Sequence, residues 1–216
     1  MIYFDRQIED VRVAVWHMTE DYDEILSLLP DADLVKNEAE SRFKSQRRIM
    51  EWTTVRVLLY MVLGRQVNIL YNEQGAPSLP DYEGLNISIS HTKEYVAIAL
   101  SEKSKVGIDV EYIEHDATDN DGKPPRVVRV KDRFVRSDEF ADNHISMLLH
   151  WSAKETVFKV LGREKVNFIN DLKVSPFDDT VYEGTFELED LKRHDTYTIM
   201  YKVFDDFVLT ITRQEE

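Results

Sequence analysis

The sequence predicts an α+β protein made of two similar halves. Three observations lead there. Helical periodicity and strand-like alternation recur in both halves, each of which offers helices and about three strands. A polar stretch at about residues 114–126, with Gly122 and a Pro124-Pro125 pair, reads as a linker or mobile loop between them. With 216 residues and 43% hydrophobic content, the chain can bury one large core or two small ones. The halves, taken as residues 1–112 and 113–216, share a pattern of elements and no sequence repeat.

In chain order, Val11, Val13 and Val15 alternate with Arg12, Ala14 and Trp16 and predict a strand. A helix runs from Glu20 to Leu29 and stops at Pro30. A long helix is expected from about Lys36 to Leu63, with apolar positions Ile49, Trp52, Val55, Leu58, Leu59 and Val62 and a cap at Gly64. Its first half carries Arg42, Lys44, Arg47 and Arg48. Asn72-Glu73-Gln74-Gly75-Ala76-Pro77 reads as a turn. The alternations at Leu85–Ile89, Val96–Leu100 and Val106–Val110 predict a three-stranded meander. In the second half, helices over Ser137–Asp142 and Ile145–Leu161, the latter capped by Gly162, precede strands at Val181–Leu188, Thr196–Val203 and Phe207–Thr212.

Composition narrows the function. The absence of cysteine excludes disulfides, thiolate metal sites and a thiol nucleophile. No apolar run approaches the roughly 20 residues that span a bilayer. The start Met1-Ile2-Tyr3-Phe4-Asp5-Arg6 has no secretory pattern. A cytoplasmic protein without membrane contact is expected. The net charge of −14 argues against nucleic-acid binding through phosphate contacts. One strip runs against that charge. Lys123, Arg126, Arg129, Lys131, Arg133 and Arg136 face only Asp132, which fits either an acidic or phosphorylated partner or a solvated loop and strand edge.

Two segments carry chemistry. In Val106-Gly107-Ile108-Asp109-Val110-Glu111, alternation buries the aliphatic residues on one face and puts Gly107, Asp109 and Glu111 on the other. Two ionised carboxylates so placed repel unless a cation lies between them, and Mg²⁺ prefers such oxygen ligands beside phosphates. Gly107 leaves room for a ligand on this reading, and the plain alternative is a solvent-facing strand edge. In Trp151-Ser152-Ala153-Lys154-Glu155-Thr156-Val157-Phe158-Lys159, Glu155 and Lys159 stand one helical turn apart. They fit a metal ligand or base beside a cation. They equally fit a surface ion pair, or a capping box with Ser152 as N-cap. His91, after Ile87-Ser88-Ile89-Ser90, is either a locally bonded turn histidine or a phosphate donor flanked by Ser90 and Lys93. Walker and dinucleotide loops and Gly-x-Ser-x-Gly are absent.

These segments, in this order and with Asn72-Glu73-Gln74-Gly75-Ala76-Pro77, resemble the surfactin-type 4′-phosphopantetheinyl transferases over roughly the middle half of the chain. The resemblance implies two pseudo-twofold α+β subdomains, each a small antiparallel sheet with a packed long helix, and an active site between them. It implies Mg²⁺-dependent transfer of phosphopantetheine from coenzyme A to a serine of an acyl or peptidyl carrier protein, releasing 3′,5′-ADP. Asp109, Glu111 and Glu155 would hold the metal. Glu155 would also take the serine proton, and Lys159 would serve the leaving group. Ser90, His91, Lys154, Arg47, Arg48 and Lys93 would contact coenzyme A. The chain departs from the family at Ala76, where a lysine is usual. That departure keeps open a non-catalytic relative that binds coenzyme A or a carrier protein. A metal-dependent phosphohydrolase is the other alternative. A chain that carries both halves is expected to act as a monomer.

Overall fold

The computed structural model describes residues 1–115, 122–163 and 165–215. In the first half, β1 (Ile2–Ile8) and β2 (Val11–His17) precede α1 (Tyr22–Ser27), α2 (Ala32–Arg42) and α3 (Gln46–Leu63). The short pair β3 (Leu70–Tyr71) and β4 (Pro77–Ser78) encloses the predicted Asn72 turn, followed by β5 (Asn86–Thr92), β6 (Tyr95–Ser101) and β7 (Ser104–Tyr112). The second half holds α4 (Arg126–Arg129), a 3₁₀ turn (Lys131–Arg133) and α5 (His144–Val160). Strands β8 (Leu172–Val174), β9 (Glu183–Asp190), β10 (Asp195–Val203) and β11 (Phe207–Glu215) follow. The larger part of the linker, residues 116–121, lies outside the described residues.

The α+β expectation holds. One antiparallel sheet has the order β1-β2-β6-β5 and the other the order β7-β11-β10-β9-β8. Helices α1 to α3 cover the outer face of the first sheet through Trp16, Ile98, Trp52 and Leu58. Helix α5 covers the second through Leu149, Val157, Leu188 and Ile199. Between the sheets, the inward faces of β2, β6, β7 and β11 meet, with Val13, Val15, Ala97, Ile108, Val110 and Leu209 all buried. Burial at about 25 cal/mol per Å² makes this shared layer the main force holding the halves together.

The long helix expected over Lys36–Leu63 is two helices. Phe43 leaves the helical region (φ −129°, ψ 140°) and its ring packs edge-on against Trp52 at 6.3 Å. The break turns the first residues of α3, Arg47 and Arg48, toward β5. The helix expected over Ser137–Asp142 is a series of turns, because the Glu139 carboxylate accepts from the Arg136 and Val174 backbone amides at 2.7 and 2.6 Å. The basic strip, read as a loop and strand edge, forms α4 and the 3₁₀ turn.

The predicted meander is also only half present. β5 and β6 pair, but β7 forms its backbone ladder with β11. β7 nevertheless runs beside β5, joined by side chains. The Ile108, Val110 and Tyr112 amides donate to the hydroxyls of Ser88, Ser90 and Thr92 at 3.1, 3.3 and 3.2 Å, each 20 residues apart in sequence. A constant offset means the two strands run parallel. The hydroxyls satisfy β7 edge amides that would otherwise be buried unpaired.

Candidate active site

The site is built where the β5–β7 seam meets α5. The α5 helix begins at His144, with the Asn143 side chain accepting from the Ser146 amide at 2.8 Å. This start rules out a capping box at Ser152, whose hydroxyl bonds Thr210 at 2.8 Å. Glu155 is therefore mid-helix, and its side chain is not consumed by a cap. Gly107 lets α5 sit directly on β7. A Cβ there would lie 2.2 Å from the Thr156 carbonyl oxygen, so the missing side chain makes room for the helix and not, as the sequence reading had it, for a ligand.

That close approach lays α5 over the carboxylate face of β7. The Trp151 indole donates to Glu111 Oε1 at 2.7 Å. The Lys159 ammonium donates to Asp109 Oδ1 at 2.8 Å and to the Ile108 carbonyl at 2.7 Å. Asp109 is only 4% exposed, and its Oδ2 is buried with no partner. Burial, and then the Asp109 charge, pushes Glu111 up to about 7. The same two causes, in the same order, raise Glu155. Three poorly solvated carboxylates thus repel one another across β7 and α5.

In donor type alone, these residues suit a hard divalent cation. All the donors are carboxylate oxygens, one buried oxygen is orphaned, and the two raised pKa values reflect repulsion and desolvation that a cation would relieve. As the side chains stand, no three acidic or histidine groups among the described residues are close enough to grip one ion together.

Two of the expected ligand contacts are corrected. Ser90 is 7% exposed and its one proton goes to Asp109 Oδ1 at 2.8 Å, so it orients a carboxylate and has no proton left for a phosphate. Lys154 is 0% exposed. Its ammonium donates to the Phe134 and Phe168 carbonyls at 2.6 and 3.0 Å and pairs with Glu139 at 2.8 Å. It points into the core of the second half, away from the cleft.

The other expected residues line two pockets, Arg47 and Lys93 one and Arg48 and His91 another. Arg47 and Arg48 reach Glu51 at 2.8 and 3.3 Å. Arg48 also donates to His91 Nε2 at 3.1 Å, and His91 Nδ1 faces Glu51 at 3.5 Å. A guanidinium can only donate, so Nε2 is the acceptor and Nδ1 carries the proton of a neutral ring. Burial lowers the His91 pKa, against the pull of Glu51. Lys93, held at a positive φ of 45°, lies 5.1 Å from the Tyr112 ring centre. It lines one pocket with Arg47, Glu111, Arg126 and Trp151.

The sequence singles out neither Glu51 nor Arg163, and it places Arg126 only in the basic strip, where the structure also puts it in the pocket with Glu111 and Trp151. Arg163 lines a second pocket with Arg42, Arg48, Glu51 and His91. For Glu51 a signal was present. Arg47 and Arg48 stand four and three residues before it, the spacing of helix-face ion pairs.

A sheet-and-helix core flanking a carboxylate-and-cation cleft defines the class, and comparison with known proteins agrees. The chain belongs to the 4′-phosphopantetheinyl transferase superfamily, whose family model matches residues 105–212. It is similar to the 4′-phosphopantetheinyl transferase AcpT of Salmonella typhi, 35% identical over 66 residues, which cover 31% of this chain and 34% of that protein. The AcpT of Escherichia coli (strain K12) is 36% identical over 62 residues, covering 29% of this chain and 32% of the relative. The chain thus spans about a third of the length of the curated relatives it matches.

Proposed function

We propose that the chain transfers 4′-phosphopantetheine from coenzyme A to a carrier-protein serine, and that its nearer likeness is to the surfactin-type members of the superfamily. The observation that carries this is the convergence of Asp109 and Glu111 from β7 with Glu155 and Lys159 from α5, inside the family-matched segment. The serine oxygen forms a bond to the phosphorus that bears pantetheine. The bond from that phosphorus to the oxygen of 3′,5′-ADP breaks. The serine proton passes to Glu155, the helix carboxylate that stands beside Asp109 and Lys159. Lys159 balances charge on the departing phosphate. Asp109, Glu111 and Glu155 would hold Mg²⁺, which neutralises pyrophosphate charge when bound.

Arg47, Arg48, His91 and Lys93 would contact coenzyme A, and the carrier would dock near α4. There Arg126, Arg129 and Arg133 are exposed, and Phe140, further along the chain, is 73% exposed. Lys131 and Arg136 bond backbone carbonyls of their own half and belong less to that surface. The division into residues 1–112 and 113–216 is kept as a proposal, with β7 as the strand both halves share. Monomeric action in the cytoplasm remains part of the same reading. Among the described residues no helix is long and apolar enough to cross a membrane.

The test is intact-mass measurement of several apo carrier proteins after incubation with the protein, coenzyme A and Mg²⁺. One added phosphopantetheine is expected, and Glu155→Ala should abolish it. Binding of coenzyme A without addition to any carrier would identify a non-catalytic relative. Free phosphate without a carrier product would identify a hydrolase.

A further inference from the structure

We propose that Arg163 is a specificity-determining residue that binds the phosphate monoester of the nucleotide, reaching across from the second half to complete an anion subsite on the first. The proposal rests on coenzyme A being the ligand, as argued above. Its geometry begins at the end of α5. The Gly162 amide donates to the Lys159 carbonyl at 3.1 Å and the Arg163 amide to the Phe158 carbonyl at 3.0 Å, with Gly162 at φ +66°. This is the paired bonding of a Schellman cap. The residue after the capping glycine usually packs an apolar side chain back on the helix. Here it is an arginine, itself at φ +60°.

The cap sends that arginine to the Asn72 turn of the other half. One Arg163 guanidinium nitrogen lies 3.0 Å from where a Cβ on Gly75 would be. Gly75 is itself at φ +78°, so two features of the turn favour glycine there. Arg163 lines two pockets at once. One contains Ala76, Pro77, Ser88 and Lys159, and the other contains Arg42, Arg48, Glu51 and His91.

Charge selects the ligand group. Among the described residues, the second pocket is lined by Arg42, Arg48 and Arg163 and by one carboxylate, Glu51, with Arg42 also paired to Glu38 at 2.8 Å. A phosphate monoester is near dianionic at neutral pH and exposes three oxygens, which suits several converging guanidinium groups. The pyrophosphate is better matched to the carboxylate cluster with its cation. Ala76 leaves the turn without a charge of its own, and Arg163 brings one to the same place from the opposite wall.

The experiment is calorimetric titration of the full chain with coenzyme A and with dephospho-coenzyme A, which lacks only the 3′-phosphate. Arg163→Ala should weaken coenzyme A binding by about tenfold or more, the scale of one charge-assisted contact, and leave dephospho-coenzyme A unchanged. Adding Ala76→Lys to that variant should restore much of the loss, since the requirement is for charge at that spot. Equal weakening of both ligands would mean that Arg163 merely clasps the turn, and no change in either would remove the residue from the site. Failure of the functional reading looks different. The unmodified chain would then bind neither nucleotide, and this proposal would fall with it.

Discussion

Two lysines on the same helix, five residues apart, each pair with a carboxylate at 2.8 Å, yet they do opposite things. Around Lys154 every group is satisfied. The ammonium has Glu139 and two carbonyls, and Glu139 also accepts the Arg136 and Val174 amides. Around Lys159 the accounts stay open. Asp109 Oδ2 is buried without a partner, and Glu111 and Glu155 are held above the ordinary carboxylate range. The first pair ties α5 to the loop before it and to β8. The second leaves unmet demand for positive charge where a phosphate ligand with a cation could meet it. Fully satisfied buried polar groups mark structure, and partly satisfied ones mark a candidate site.

Breaking each pair should separate the two roles. Lys154→Met leaves the Glu139 charge buried and unpaired, and should cost about 3–5 kcal/mol in urea unfolding. Glu155→Gln removes a charge that its surroundings already disfavour. Its unfolding free energy should stay within about 1 kcal/mol of the parent or rise. If the two substitutions destabilise equally, the contrast is wrong.

A pH titration sharpens the same comparison. The folded pKa of Glu111, about 7, lies above its ordinary value of 4.5. The folded state therefore binds the proton more tightly than the unfolded state. The associated stability is fully present below 4.5 and is lost as pH rises through about 7. In the metal-free protein the loss should reach about 3 kcal/mol at most, read as the difference between parent and Glu111→Gln melting series. Mg²⁺ added at pH 8 should stabilise the parent and leave Glu111→Gln less affected. Parallel melting series at all pH values would count against the raised pKa.

The smallest effect is expected at the surface. Reversing the charge of Arg129 and Arg133 together should raise the KM for the carrier several-fold, with the KM for coenzyme A unchanged. An unaltered carrier KM would move the docking surface away from α4.

Much of this was legible in the sequence wherever a local period decided it. The alternation Val106–Glu111 put both carboxylates on one strand face, and the spacing of Glu155 and Lys159 put them on one helix face. The glycine caps at Gly64 and Gly162 both appear at positive φ, as expected of residues that end helices without a Cβ penalty. What failed depended on distant partners. The break at Phe43 follows from a ring contact with Trp52, and the departure of β7 from the meander follows from its pairing with β11. The role of Ser90 follows from a carboxylate 19 residues away.

The sequence by itself determined which side chains share a face, because helix and strand periods depend only on neighbouring residues. It therefore put Asp109 with Glu111 on one face of β7 and Glu155 with Lys159 on one face of α5. Only the tertiary structure decided which of two similar lysines reaches Asp109, that Ser90 holds a carboxylate, and that Arg163 reaches the Gly75 turn. Those outcomes depend on desolvation and on donors and acceptors supplied by Phe134, Glu139, Phe168 and Asp109, which lie far from them along the chain. No local spacing encodes such partners.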